Sequence, residues 1–185
     1  MPFSNKSGKK EVKDFLVESM PPDTRVLDVG PGNGTYSDLL RENFQNIDAC
    51  EIHAPYIRRY KLEEKYGKVY NMSVVDFQDF DNYDLVILGD VLEHLTVDDA
   101  KAVLSRCANV KQVLVAVPFE SPQGAFWGVE AERHEQDDLT PQNFLERYPD
   151  FAPFFFSKRK RRKERHTTDY SYGYYFRKGT APVCE

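Results

Sequence analysis

Residues 26 to 34 read VLDVGPGNG: an apolar run carrying one acid, Asp28, breaks into three glycines at alternate positions, Gly30, Gly32 and Gly34, around Pro31 and Asn33. The run predicts a strand over Arg25 to Val29. A helix follows, with Tyr36, Leu39, Leu40 and Phe44 on its inward face. A glycine turn between a strand and a helix start lets backbone N–H groups approach a ligand closely. The spacing then narrows the ligand. A dinucleotide fingerprint needs G-x-G-x-x-G, but position 35 is Thr, so hydride chemistry is disfavoured. Glu51, with Ile52 beside it, closes the next apolar run, 21 residues after Gly30. A carboxylate at that place can accept both ribose hydroxyls of an adenosine.

Outward from this loop, strand-like runs alternate with helical patterns. Strands are expected at 47 to 52, 69 to 75, 83 to 88 and 112 to 117, and helices at 56 to 66 and from the Thr96 cap to about Ala108. Thr140-Pro141 opens a further helix, with Thr as cap and Pro at the first position. Two aromatic segments, 151 to 157 and 170 to 177, read as an antiparallel pair added to a parallel sheet. The fold class is therefore α/β: a Rossmann-like three-layer sandwich, with a mostly parallel seven-stranded sheet ending in that C-terminal pair. Residues 1–185 read as one domain. Its N-terminal helical arm (1–22) buries Val12, Phe15 and Leu16, and the 21-residue stretch 119–139 is longer than a plain connection and reads as a substrate loop.

Composition sets the outer bounds. At 41% apolar and 30% charged residues the chain is ordinary for a globular domain, and its length leaves no room for a separate substrate domain. No apolar run approaches the ~18 residues of a membrane span. The first ten residues lack the apolar core of a signal peptide, so a cytoplasmic protein with no membrane partner is expected. Cys50, Cys107 and Cys184 form no CxxC pair, which excludes a disulfide framework and a cysteine zinc site. The net charge of −5 hides the run KRKRRKER at 158–165, with seven basic residues and one acid. That run is either a solvated hairpin loop or a clamp for an anionic partner such as nucleic acid.

The matching segments, VLDVGPGNG (26–34), Glu51, YDLVILGDVLEHL (83–95) and VLVAVP (113–118), resemble the class I S-adenosylmethionine-dependent methyltransferases over nearly the whole chain. The resemblance implies S-adenosylmethionine as cofactor. It implies that Asp28 orders the loop and the methionine amino end, that Gly30, Pro31, Gly32 and Gly34 pass the methionine and ribose, and that Gly89 and Asp90 close over the methionine. Where the family often has an Asp for the adenine amino group this chain has Ser73, with Met72 and Val74 beside it, and Asp76 comes three residues late.

Asp90-x-x-Glu93-His94 follows the fourth strand, where such sheets place their ligands. It reads equally as a capping box, Asp90 with Glu93, or as a cation site for Mg²⁺ or Mn²⁺ made by Asp90, Glu93 and His94 with His134 from the long loop. The second reading is similar to the E-x-x-E-H site of ubiquinone-pathway O-methyltransferases and of small-RNA 3′-terminal 2′-O-methyltransferases. His134, His94 and Asp90 are the catalytic candidates. No NPPY-like tetrapeptide follows strand four, which disfavours amino methylation. The Gln, Trp, Glu and His of the loop suit a carbohydrate or small-molecule hydroxyl, and the wider likeness is to small O-methyltransferases of glycan biosynthesis. The rivals are an RNA 2′-O-methyltransferase using the basic run and a cofactor-binding module without catalysis.

Overall fold

The computed structural model describes residues 7–126, 128–158 and 170–178. The basic run beyond Lys158, Trp127 and Cys184 lie outside them. In chain order the regular elements are α1 (Lys9–Ser19), β1 (Arg25–Val29), α2 (Thr35–Leu40), β2 (Asn46–Cys50), α3 (Ala54–Arg59), β3 (Val69–Tyr70), β4 (Leu85–Gly89), α4 (Val97–Arg106), β5 (Gln112–Pro118), α5 (Pro141–Arg147), β6 (Phe151–Lys158) and β7 (Tyr170–Arg177). The seven strands run β3-β2-β1-β4-β5-β7-β6. The first five are parallel, and β7 pairs antiparallel with both β5 and β6.

Alternation along the central strands divides the core into two layers. Leu85 and Ile87 of β4 with Leu114 and Ala116 of β5 pack toward Val12, Leu16, Tyr36 and Leu40 of α1 and α2. Val86, Leu88, Val113 and Val115 pack toward Ala100 and Val103 of α4 and Phe144 of α5. A strand covered on both faces needs an unbroken apolar run, and β4, LVILG, is buried throughout. The chain moves outward from β1 to β3 and then crosses back to β4. The crevice between the carboxyl ends of β1 and β4 is therefore the switch point at which open α/β sheets bind ligands.

The helix caps follow the sequence reading. Thr96 accepts the Asp99 N–H at 3.1 Å, and Thr140 and Asn143 form a reciprocal capping box ahead of α5. Two elements differ. The strand expected at 69–75 stops at Tyr70 because its partner β2 ends at Cys50. Beyond it Asn71 Nδ2 donates to the Glu51 carbonyl at 2.8 Å, and the chain turns, with Asp76 N–H on the Ser73 carbonyl. The helix expected at 56–66 breaks at Lys61, whose left-handed φ of 51° resets the phase before a 3₁₀ turn at Leu62–Glu64. The break lets Leu62 and Tyr66 join Tyr36 and Leu40 in the core.

Candidate active site

The glycine turn opens the site. Gly30, Gly32 and Gly34 have φ of 61°, 54° and 86°, a left-handed run that side chains resist. At Gly30 a Cβ would also stand 2.8 Å from Val91 Cγ2. A cavity of about 180 Å³ lies over this turn, between Gly30 to Gly32, Glu51 to His53, Met72 to Val74 and Gly89 to Val91. Gly34 is not among the residues lining this cavity; a Cβ there would meet Lys65 Cδ at 2.7 Å, and Lys65 Nζ donates to the Asn33 carbonyl at 3.0 Å.

Glu51 is fixed by the His53 N–H at 2.7 Å, and the Gly32 backbone faces the same carboxylate. Ile52 is 53% exposed and forms an apolar wall of the cavity. Ser73 lines the pocket beside Val74 and also builds its own turn, since its Oγ accepts the Val75 N–H at 3.2 Å. Asp28 is buried beneath the turn. Its Oδ2 accepts the Tyr66 hydroxyl at 2.5 Å, while Oδ1 has no partner. Burial pushes Asp28 and Glu51 up to about 7. Two buried carboxyls held that high gain most from a ligand that brings positive charge.

Behind Gly89 the backbone turns through Asp90, at φ 58°, into a 3₁₀ turn over Leu92–His94. The capping box expected from Asp90 and Glu93 is absent. Val91 occupies the cap position with no side-chain bond, and Glu93 is 1% exposed with an unpartnered Oε2. Burial, then the neighbouring Asp90, drives the Glu93 carboxyl far above the usual range.

The long loop is pinned to this turn. Gln136 Nε2 donates to the Leu92 carbonyl at 2.8 Å, and the N–H groups of Glu135 and Gln136 both reach the Glu93 carbonyl. His134 is thereby set edge-on to His94, with ring centroids 4.8 Å apart, and the ligand atoms of Glu93, His94 and His134 lie within 4.8 Å of one another. Asp90 stands outside that group, although the sequence placed it there. It lines the cavity over the glycine turn together with His94.

The tautomers follow from the partners. His94 Nδ1 lies 2.9 Å from the Arg133 carbonyl and His134 Nδ1 lies 2.5 Å from the Ser121 carbonyl. A carbonyl only accepts, so each Nδ1 carries the proton and each Nε2 keeps its lone pair. Burial lowers His94 to about 4 and lowers His134 as well, so both rings are neutral at pH 7. Neutral imidazole with a free Nε2 can take a proton or hold a cation.

Sequence reasoning missed three polar residues of the cavity, His53, Tyr56 and Glu132. His53 and Tyr56 stack edge to face at 4.5 Å, and Glu132 comes from the 3₁₀ turn of the long loop. Burial, then Glu132, pushes the Tyr56 phenol above its usual range. The available signal was position: His53 and Tyr56 follow Glu51 directly, and Glu132 lies two residues before His134.

Residues 27–112 match the family model described as a methyltransferase domain. One curated relative, the ribosomal RNA small subunit methyltransferase A of Malacoplasma penetrans, is 24% identical over 119 residues, and the match spans 63% of this chain but only 43% of the relative's length. The methyltransferase domain of bacterial CtHen1 is structurally similar, with a TM-score of 0.64 at 18% identity, over 94% of this chain and 99% of that one. A SAM-dependent methyltransferase from Archaeoglobus fulgidus gives 0.63 at 15% identity, over 91% and 93%. The magnesium protoporphyrin IX methyltransferase of Synechocystis, solved with bound SAM, gives 0.60 at 16% identity, over 91% and 77%.

Proposed function

We propose, from the premise that this chain carries an S-adenosylmethionine-dependent methyltransferase domain, that it methylates a hydroxyl of a sugar or similar small molecule. The observation that carries the reading is the pair of neutral histidines grouped with buried Glu93, ligand atoms of the three within 4.8 Å of one another, next to the Gly89–Asp90 edge of the cofactor cavity. A hydroxyl acceptor must lose its proton, and this is a place for it to go.

The cofactor fits the residues present. Glu51 would take the ribose hydroxyls, Ile52 and Met72 to Val74 would cover the adenine, and Asp28, buried beneath the glycine turn, would steady the loop at the methionine end. Methyl transfer is an in-line displacement: the acceptor oxygen forms a bond to the methyl carbon, the sulfur–carbon bond breaks, and its electron pair returns to sulfur. The sulfonium is already a good leaving group, so the protein chiefly aligns the reactants, which is worth about 7 to 11 kcal/mol. His134 Nε2 accepts the hydroxyl proton.

A divalent cation also fits the donor set, because Glu93 Oε2 is buried without a partner and two imidazole nitrogens share its neighbourhood. Glu93, His94 and His134 would hold it, and two imidazoles favour Mn²⁺ over Mg²⁺. When bound, it would lower the pKa of the acceptor hydroxyl. Both roles use the same His134 lone pair, so chelator separates them: transfer that survives chelation and fails in His134→Ala makes His134 the base.

A second reading, an RNA 2′-O-methyltransferase, is favoured by the ribosomal RNA methyltransferase match and by the basic run at 158–165. A labelled-methyl assay against glycans, small phenols and RNA decides between them, using wild type, His134→Ala and a variant neutralised from Lys158 to Lys163. Glycan labelling that survives neutralisation supports the sugar reading. Salt-sensitive RNA labelling lost on neutralisation replaces it. Cofactor binding without labelling of any acceptor leaves a binding module.

A further inference from the structure

Asp90 has a second polar neighbourhood, toward α1 and α2, built from residues that the cofactor cavity does not use. Lys9, the first residue of α1, is 7% exposed, and its Nζ has no hydrogen-bond partner among the described residues. The ammonium stands 3.5 Å from the centroid of the Tyr36 ring and 5.8 Å from that of Tyr174. Tyr36 in turn packs against Gly89: a Cβ there would be 2.5 Å from Tyr36 Cε2 and 3.2 Å from its hydroxyl. Gly89 and Asp90 form the edge of the cofactor cavity.

The placement of Lys9 is built into the fold. Tyr174 donates its hydroxyl to the Ser7 carbonyl at 2.8 Å, and Gly8, at φ 85°, passes so close to Tyr174 and Phe155 that a Cβ would stand 2.5 and 2.7 Å from their rings. These contacts deliver the lysine to the interior, where an amine with no acceptor destabilises the fold and a methionine of similar volume would not. The groups facing Lys9 are Tyr36 from α2, Tyr174 from β7, and the carboxylates of Asp28 and Asp90, both of which attract it. Burial lowers the amine to about 8 despite them, so it remains a cation at neutral pH.

We propose that Lys9 and Tyr36 are positioning residues for methyl transfer, the Lys9 ammonium serving as the buried countercharge of Asp90 and the Tyr36 ring as the plate that fixes the strained Gly89–Asp90 turn against the cofactor. Lys9 acts through the ring and the field and touches no reacting atom. The left-handed Asp90 is secured by its own N–H on the Ala116 carbonyl at 2.8 Å and by this packing from the opposite side. The proposal rests on the reading of the chain as an O-methyltransferase.

The test compares Lys9→Met and Lys9→Arg with wild type in melting temperature, affinity for the demethylated cofactor product, and kcat and KM of transfer to whichever hydroxyl acceptor wild type labels. Lys9→Met is expected to melt at or above wild type, to bind the product within about twofold, and to lose about 100-fold in kcat with little change in KM. Lys9→Arg keeps the charge over the ring and is expected to recover most of that loss. A Lys9→Met chain that transfers as well as wild type overturns the proposal. So does one that melts well below wild type, since Lys9 would then be structural. A wild type that labels no hydroxyl removes the O-methyltransferase reading, and Lys9 with it; loss confined to Lys9→Met leaves that reading intact.

Discussion

The two ends of the same parallel sheet treat carboxylates in opposite ways. At the amino end, Asp84 stands just before β4 and is held by Arg25 Nε at 3.1 Å and Lys111 Nζ at 3.0 Å, while Asp48 accepts the Tyr83 hydroxyl at 2.8 Å. Hydrogen bonding from Arg25 holds the Asp84 carboxyl well below the usual range. At the carboxyl end, Asp28, Glu51 and Glu93 are buried without a basic side chain bonded to them, and all three are raised. One end spends its charges on tying strands together. The other keeps carboxyls in low dielectric with no ion pair made to them among the described residues, a stability cost that makes sense where a ligand supplies charge.

The largest expected effect of that contrast is on activity. Glu93→Gln should lower transfer by about 100-fold or more, like chelation if a cation is held there, without loss of melting temperature, because a neutral amide suits the buried site. Asp84→Asn should do the reverse and leave turnover unchanged. Equal activity in both variants would erase the distinction between the ends.

Cofactor affinity comes next. Glu51→Ala should weaken binding of S-adenosylmethionine by about 1.5 to 3 kcal/mol in calorimetry, the usual loss for hydrogen bonds to a charged group. Unchanged affinity would remove Glu51 from the ribose site.

The ends should also respond to pH with opposite sign. Asp28 and Glu51 titrate near 7 in the fold, above their unfolded values, so the folded chain binds more protons across that interval. Their contribution to stability is present below the ordinary carboxylate range and is lost as pH rises through about 7. A cationic cofactor favours the ionised carboxylates, so its affinity should rise from pH 6 to pH 8. Asp84 is lowered, so its contribution is present above the ordinary carboxylate range and is lost on acidification below it. Melting curves with and without cofactor from pH 3 to 8 read both slopes. A cofactor-dependent shift that is flat across pH 6 to 8 would break the account of the carboxyl end.

The smallest effect belongs to the exposed partners at the amino end. Lys111→Ala removes one side of a largely solvated bridge, and differential scanning should show only a slight, salt-sensitive fall in melting temperature.

The glycine-turn half of the candidate site was readable because its parts are local. A strand, a glycine turn and a helix are contiguous, and Glu51 closes the neighbouring strand, so spacing alone placed Gly30, Gly32 and Glu51 around one cavity, with Asp28 buried beneath the turn. Gly34 shows the limit of that logic. Its left-handed φ belongs to the motif, but only packing shows that Lys65 fills the space a side chain would need. The half built around Glu93 and the histidines was readable as a list of residues and not as a set. Asp90, Glu93 and His94 are adjacent in sequence, yet Asp90, at a left-handed φ, stays outside the group that Glu93 and His94 form, and His134 arrives across about forty residues on a loop fastened by Gln136.

From the sequence by itself came the α/β class, the strand pair at the C-terminus, the glycine loop and its acid, since each is written in periodicity or short spacing that local backbone preference enforces. Tertiary structure decided which side chains share a volume: the grouping of Glu93 with two histidines, the placing of Tyr56 and Glu132 at the cavity, and the burial of Lys9 under Tyr36, about eighty residues from Asp90. In sequence Lys9 is one polar residue at the start of an amphipathic helix, indistinguishable from a solvated lysine. Its burial follows from the close passage of Gly8 over β7 and the apolar face of α1 settling on the sheet, and long-range packing of that kind has no local pattern to announce it.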